Sequence, residues 1–195
     1  MAIIHQATLV PSKVELVAAW LPRCAWFDGP AAPVRPVAAY RFDDPAGAVG
    51  IESHLLDVAG RLVHVPLTYR GAPLPGAEEH LVGTMEHSVL GTRWVYDAPA
   101  DPVYRDEAAR VVREAGTEVR LLVETPDGPV EREPTMRVRG SGGGPADGVP
   151  EVLRLPAPGP VPAAGMLTGT WPGQDEPVVL LRLVGVTSAT PGDAR

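Results

Sequence analysis

The chain has 195 residues and a formal net charge of −7, from 17 basic and 24 acidic side chains. This length predicts one domain that can bury its own core, and the negative charge argues against a nucleic-acid or anionic-membrane binder. The single cysteine, Cys24, excludes an internal disulfide and a multi-cysteine zinc site. The 21 glycines and 23 prolines favour short strands and many turns over a helical bundle.

The first third of the chain predicts strands and one short helix. Residues 2–10 mix β-branched and polar side chains, as a strand does, and Pro11 ends it. Ser12 and Glu15 have the spacing of a capping box, so a short helix begins there and ends at Pro22. Three further strands are predicted at residues 34–42, 49–58 and 61–69.

The turn near Gly60 decides which side chains of the last two strands share a face. A two-residue loop pairs Val58 with Arg61 and mixes polar and apolar groups on both faces. A three-residue loop with Gly60 in the left-handed conformation pairs Asp57 with Arg61 instead. It collects Ile51, Leu55, Val63, Val65 and Leu67 on one face and leaves Glu52, His54, Leu56, Leu62 and His64 on the other. We therefore predict the three-residue loop.

The rest of the chain continues with strands and a second helix. Strands are predicted between residues 80 and 96, and Asp101-Pro102 begins a helix whose apolar stripe runs from Tyr104 to Ala115. We expect this stripe to pack on the apolar face of the preceding strands. A hairpin is predicted over 117–139 and a last strand over 177–186. The whole pattern predicts an α+β fold with an antiparallel sheet and two helices.

The domain limits follow from the glycine-rich and terminal segments. Residues 140–148 (GSGGGPADG) predict a flexible loop within a single domain at 1–186, and residues 187–195 predict a disordered tail. The chain start lacks a basic region and a long apolar run, and no stretch has the length of a membrane helix. We expect a cytoplasmic protein without a membrane partner.

Tests for catalytic chemistry find no complete motif. The glycine-rich segment lacks the lysine of a phosphate-binding loop, and the catalytic and metal-binding loops of a protein kinase are missing. In the predicted register, His54, His64 and Glu52 have the chemistry to bind a divalent ion, but the pattern is weak. We therefore predict no catalytic residue, no metal and no cofactor.

Several motifs together resemble a known family. They are Trp20-Leu21-Pro22, Trp26-Phe27, the stretches 65–70 (VPLTYR), 83–87 (GTMEH) and 93–97 (RWVYD), and Asp101-Pro102. Over residues 2–114 they resemble the maltokinase N-terminal cap-like domain of actinobacteria. The likeness is closest to its stand-alone members, some of which carry a 1,4-α-glucan branching protein label. The resemblance implies a curved, mainly antiparallel, cystatin-like sheet flanked by two helices. It also implies a role in maltose, trehalose, glycogen or aminosugar metabolism, without the ATP-binding kinase body.

The motif residues are expected to serve the fold, with a saccharide or partner platform at 93–97 as the alternative. They are Trp20, Trp26, Phe27, Gly83, Arg93, Trp94, Tyr96, Asp97 and Asp101. For binding we select the polar groups expected on the open sheet face and beside it, although a merely solvated face is the competing interpretation. These are Glu52, His54, His64, Tyr69, Arg70, Glu86 and His87.

The leading functional prediction is a non-catalytic cap-like domain that binds or regulates. It would act on a saccharide or on a protein partner such as a sugar kinase or glucan enzyme. The alternative is an enzyme of α-glucan metabolism, branching or hydrolytic, whose carboxylates the sequence does not single out. Self-association through an exposed strand edge is a third prediction.

Overall fold

In the computed structural model, which describes residues 2–4, 7–30, 32–125, 128–159 and 164–185, the strands form three sheets. The strands are β1 (Ala2–Ile4), β2 (Leu9–Val10), β3 (Val34–Asp43), β4 (Val49–Val58), β5 (Arg61–Arg70), β6 (Leu81–His87), β7 (Gly91–Asp97), β8 (Leu121–Thr125), β9 (Gly128–Arg132), β10 (Arg137–Gly140), β11 (Val149–Val152), β12 (Met166–Trp171) and β13 (Gln174–Val184). Two α-helices, α1 (Lys13–Trp20) and α2 (Pro102–Arg113), flank them.

The largest sheet has six antiparallel strands in the order β2-β6-β7-β5-β4-β3, and it is strongly curled. A second antiparallel sheet has the order β10-β12-β13-β11. The third, β1-β8-β9, includes one parallel pair, β1 with β8. The predicted α+β class with a curved, mainly antiparallel sheet and two helices is confirmed. No helix in the described parts of the chain is long and apolar enough to cross a membrane.

Both helices begin at the predicted caps. The Ser12 hydroxyl accepts a hydrogen bond from the Glu15 amide, and the Glu15 carboxylate accepts one from the Ser12 amide, which completes the capping box. Asp101 caps α2 by accepting a hydrogen bond from the Val103 amide at 3.0 Å. These local signals place helix starts because a cap satisfies amides that have no partner inside the helix.

The predicted register of the β4–β5 hairpin is wrong. Val58 pairs with Arg61, so the turn contains only Ala59 and Gly60. Their φ angles are 55° and 81°, the positive values of a type I′ turn, which favours asparagine or glycine over alanine. The shift by one residue moves His64 and Glu52 to opposite faces of the sheet, because side chains alternate along a strand.

The hairpin tolerates apolar residues on both faces because both faces are buried. On one face, Ile51 and Leu55 pack with α2 and with the four-stranded sheet. On the other, Val63 and Val65 pack with α1. The expectation that α2 would pack on Val63, Val65 and Leu67 is therefore wrong, since those three belong to the core under α1.

The second half of the chain is only partly as predicted. The last predicted strand corresponds to β13, whereas β11 and β12 fall where no strand was expected. In the glycine-rich segment, the Gly142 amide donates to the Val112 carbonyl and the Gly143 amide to the Arg113 carbonyl, at the end of α2. Its flexibility and the domain limit at residue 186 stay predictions, and the predicted tail, 187–195, lies outside the described residues.

Candidate functional site

A cavity of about 730 Å³ lies on the face of the six-stranded sheet that α1 partly covers. Cross-strand pairs such as Arg41 with Glu52 and Met85 with Arg93 put the lining side chains on this one face. Every strand of the sheet contributes, and α1 adds its first residue. The lining includes Leu9, Lys13, Arg41, Asp43, Asp44, Glu52, Tyr69, Met85, His87 and Arg93.

Glu52 is the electrostatic centre of the cavity. The Lys13 ammonium donates a hydrogen bond to its Oε2 atom, and Arg41 Nη1 lies 4.0 Å from the same oxygen. Burial acts to raise the pKa of Glu52, but the attraction of His54, Lys13 and Arg41 outweighs it and lowers that pKa to about 2. Glu52 is therefore an ionised acceptor at neutral pH.

His54 lies beside Glu52 and holds Tyr69 in place. Its Nε2 atom is 3.1 Å from the Tyr69 hydroxyl and 3.9 Å from Glu52 Oε2. Burial lowers the pKa of His54 to about 4, so the imidazole is neutral at pH 7. The Lys13 ammonium lies 5.3 Å from the centre of the Tyr69 ring. The tyrosine ring thus has a fixed orientation in the cavity wall.

Three of the seven predicted binding residues line the cavity: Glu52, Tyr69 and His87. His54 joins them through Glu52 and Tyr69. The backbone amides of Val89 and Leu90 donate to His87 Nδ1 at 3.2 and 3.1 Å, which fixes that imidazole at the tip of the β6–β7 turn.

His64 is buried on the opposite face, and its predicted place beside Glu52 is wrong. The side chain is 0% exposed, and its Nε2 atom lies 3.2 Å from the Tyr40 hydroxyl. Burial lowers the pKa of His64 to about 3. His54 and His64 cannot share a metal ion from opposite faces. Among the described residues, no three histidine, cysteine, aspartate or glutamate side chains are grouped to hold one.

Arg70 and Glu86 also lie away from the cavity lining. Arg70 points to the α2 side, where its Nε and Nη2 atoms donate to the two carboxylate oxygens of Asp101 at 2.6 Å each. Glu86 is exposed and accepts a hydrogen bond from the Thr92 hydroxyl at 2.7 Å. Neither side chain is placed to meet a ligand in the cavity.

The sequence interpretation missed Lys13 and Arg41, and it assigned Arg93 first to the fold, with a saccharide or partner platform at 93–97 as the alternative. The signal for Arg41 was available: a hairpin turn at residues 44–48 pairs residue 41 with residue 52, so an arginine stands opposite Glu52. Lys13 carries no comparable signal, because its contact with Glu52 depends on where α1 packs. Arg93 donates to the Leu90 carbonyl at 2.8 Å and lines the cavity as well.

The motif aromatics form a cluster next to the core under α1. Trp20 and Trp26 have ring centroids 5.9 Å apart, and Phe27 continues the cluster at 6.1 Å from Trp26. A Cβ atom on Gly83 would come within 2.6 Å of Leu16, so glycine lets α1 pack closely on β6. Tyr96 is buried, and its hydroxyl accepts a hydrogen bond from the Leu74 amide at 2.9 Å.

Strands β3 to β7 of the sheet that builds the cavity lie within a segment that matches a protein family. Residues 20–101 match the maltokinase N-terminal cap domain. We refer to them as the cap segment. The resemblance expected from the sequence motifs is confirmed over this range, while the actinobacterial origin and the branching-protein label stay predictions. A search of curated proteins gave no match. The cap segment contains most of the cavity-lining residues, and Ala7, Leu9 and Lys13 precede it.

Proposed function

We propose that this chain is a non-catalytic cap-like binding domain of maltose, trehalose or glycogen metabolism, and that it binds a saccharide in the cavity. The family match indicates a cap-like domain in maltose or trehalose metabolism. The observation that carries the saccharide proposal is the lining: a fixed Tyr69 ring, an ionised acceptor at Glu52 and donors at Arg41 and Arg93. Sugars offer hydroxyls to such donors and acceptors and a C–H face to an aromatic ring.

The volume and the ionisation of Glu52 support binding without chemistry. A cavity of about 730 Å³ falls within the roughly 300–1,000 Å³ of small-molecule sites. A hydrolase needs a carboxylic acid that keeps its proton near neutral pH. Glu52, with its pKa lowered to about 2, does not supply one. We favour a binding role, in which the ionised Glu52 accepts hydrogen bonds from sugar hydroxyls, over branching or hydrolysis of an α-glucan.

Calorimetric titration with maltose, trehalose and maltohexaose tests the proposal. We expect binding by one of them and at least a tenfold loss of affinity in Arg93→Gln. The matched control is Arg139→Gln, because Arg139 is exposed on β10, outside the cavity. Phosphate transfer from ATP to maltose or glucosamine, or branching or hydrolysis of glycogen by the same preparation, would contradict the non-catalytic role.

A protein partner is the second candidate, favoured by three exposed apolar residues at the cavity end of the sheet. Val10 on β2 is 62% exposed, and Val89 and Leu90 on the β6–β7 turn are 56% and 47% exposed. Exposed apolar side chains at this edge suit contact with a sugar kinase or glucan enzyme that lacks its own cap. Co-elution should then be lost in Val10→Ser/Val89→Ser and kept in Val130→Ser, which changes an equally exposed valine on β9. Light scattering of the chain alone tests self-association.

A further inference from the structure

Arg41 is a mostly covered guanidinium without a hydrogen bond. Its side chain is 22% exposed, its Nε atom is buried without an acceptor, and no described residue accepts from it. A guanidinium has five N–H donors, and buried polar groups in folded proteins nearly always have partners. This arginine lines the cavity.

The carboxylates around Arg41 are already engaged. The nearest, Glu52, is 4.0 Å away and accepts its hydrogen bond from Lys13. Asp44 accepts three backbone amides of its own turn, at 2.9 Å each, from Ala46, Ala48 and Val49. Asp43 has an interaction of its own. Arg41 therefore has charge neighbours but no acceptor.

Other arginines of the described residues show the contrast. Arg61, Arg70 and Arg154 each donate to a carboxylate. Three other arginines of the described residues also donate no hydrogen bond, but their side chains are exposed to water: Arg35, Arg132 and Arg139. Arg93 also lines the cavity and has one acceptor, the Leu90 carbonyl, while its Nε atom is buried without one. Arg113 and Arg154 also have one buried nitrogen each without an acceptor, but each donates through another nitrogen to a carbonyl or carboxylate outside the cavity. Among the covered arginines of the described residues, Arg41 alone donates no hydrogen bond, and it lines the cavity together with Arg93.

We propose that the saccharide bound in the cavity carries an oxyanion, a phosphate ester or a carboxylate, which Arg41 binds and Arg93 helps to orient. This inference rests on the proposed saccharide function. A planar guanidinium pairs two N–H groups with two oxygens of such a group, and these charge-assisted bonds are stronger than bonds to a neutral hydroxyl. The carboxylates of the lining balance its cations in number. The expected preference for an oxyanion over a neutral hydroxyl therefore comes from the unused N–H donors of Arg41 and Arg93 and not from net charge.

Calorimetry on the full chain with matched ligands tests the inference. Glucose 1-phosphate and glucuronate carry the two kinds of oxyanion, glucose carries none, and maltose probes the neutral saccharide site. We expect at least one oxyanion ligand to bind at least tenfold more tightly than glucose. Whichever of the two binds more tightly identifies the oxyanion as phosphate ester or carboxylate. The advantage should disappear in Arg41→Met, shrink in Arg41→Lys, and persist in Arg139→Met.

The outcomes separate this inference from the proposed function. If maltose and glucose bind as tightly as the two oxyanion ligands, the proposal of an oxyanion on the ligand is contradicted, while the proposed saccharide-binding function is supported. If none of these four ligands binds, the proposed oxyanion is contradicted, and if trehalose and maltohexaose also fail to bind, the saccharide function is contradicted as well. If inorganic phosphate alone matches glucose 1-phosphate, the site takes an ion and not a saccharide, which also overturns the inference. Melting temperatures show which variants are folded, and Arg93→Met serves as the second cavity variant if Arg41→Met unfolds.

Discussion

Arg154 and Asp97 form an ion pair that joins the cap segment to the rest of the chain. Arg154 Nη2 donates to the two carboxylate oxygens of Asp97 at 2.7 and 2.5 Å, and both side chains are largely buried. The same guanidinium lies 4.8 Å from the centre of the Trp26 ring. Asp97 and Trp26 belong to the cap segment, whereas Arg154 lies more than fifty residues beyond Asp97 in sequence. Residues outside the family match therefore complete its packing.

Removing one partner of this pair should destabilise the protein strongly. Asp97→Ala leaves the Arg154 charge buried without its carboxylate, and we expect a loss of about 3 kcal/mol or more in the free energy of unfolding. Urea denaturation measures it. The control is Asp28→Ala, which breaks an ion pair of Arg61 with an 83% exposed aspartate. Its urea midpoint should hardly move, and equal losses for the two variants would contradict the structural role of Arg154.

Gly140 should not tolerate a side chain. A Cβ atom there would lie 2.2 Å from the Val111 carbonyl oxygen and 2.8 Å from the Val112 Cα atom, both backbone atoms near the end of α2. Backbone cannot move aside cheaply, so we expect Gly140→Ala to lower the free energy of unfolding by about 1–3 kcal/mol or more. Gly159→Ala enters open space and should change it by less than about 0.5 kcal/mol. Thermal melts that rank the two variants equally would contradict this packing.

Stability should fall as the pH drops below about 6.5. Burial lowers the pKa of His54 to about 4 and that of His64 to about 3, from an ordinary 6.5. Between those values the unfolded chain binds protons that the folded chain does not, so each imidazole removes about 1.4 kcal/mol per pH unit. Glu52, with its pKa lowered from 4.5 to about 2, adds a loss only below about pH 4.5.

Urea unfolding from about pH 7 to about pH 5 measures this slope. His64→Leu or His54→Gln should each reduce it by the share of one imidazole, because each removes one titrating group. A free energy of unfolding that stays constant over this range would contradict the burial of both imidazoles.

Ala59 is a position where substitution should stabilise the protein. Its φ of 55° is in the left-handed region, which is disfavoured for alanine and tolerated by asparagine. We expect Ala59→Asn to raise the free energy of unfolding by about 0.5–1 kcal/mol. Ala46→Asn, in the exposed β3–β4 turn, has no positive φ to relieve and should be close to neutral. A lower melting temperature for Ala59→Asn would contradict the two-residue turn.

The same alanine explains how far the sequence predicted the structure. The helix starts at Ser12 and Asp101 follow from neighbouring residues, so they were predicted correctly. Glu52 and His54 share a face in either register, since they lie two residues apart on one strand. The face on which His64 lies depends on the length of the turn. The sequence does not indicate the two-residue turn, because alanine at position 59 is not typical of a type I′ turn. Alternation did not help, because this hairpin is buried on both faces. Lys13 and the second sheet depend on long-range packing that no local pattern shows.

Burial of β4 and β5 on both faces also limits where this chain can change its specificity. The centre of the curled sheet is enclosed between α1 on one side and α2 with the smaller sheet on the other. Substitutions at those buried positions are expected to lower the stability of the fold before they change ligand binding. At the cavity, beside the first turn of α1, the side chains of Lys13, Arg41 and Arg93 are carried by elements that the two cores already stabilise. Relatives with different ligands are therefore expected to differ at these three positions while they keep the buried strands beneath them.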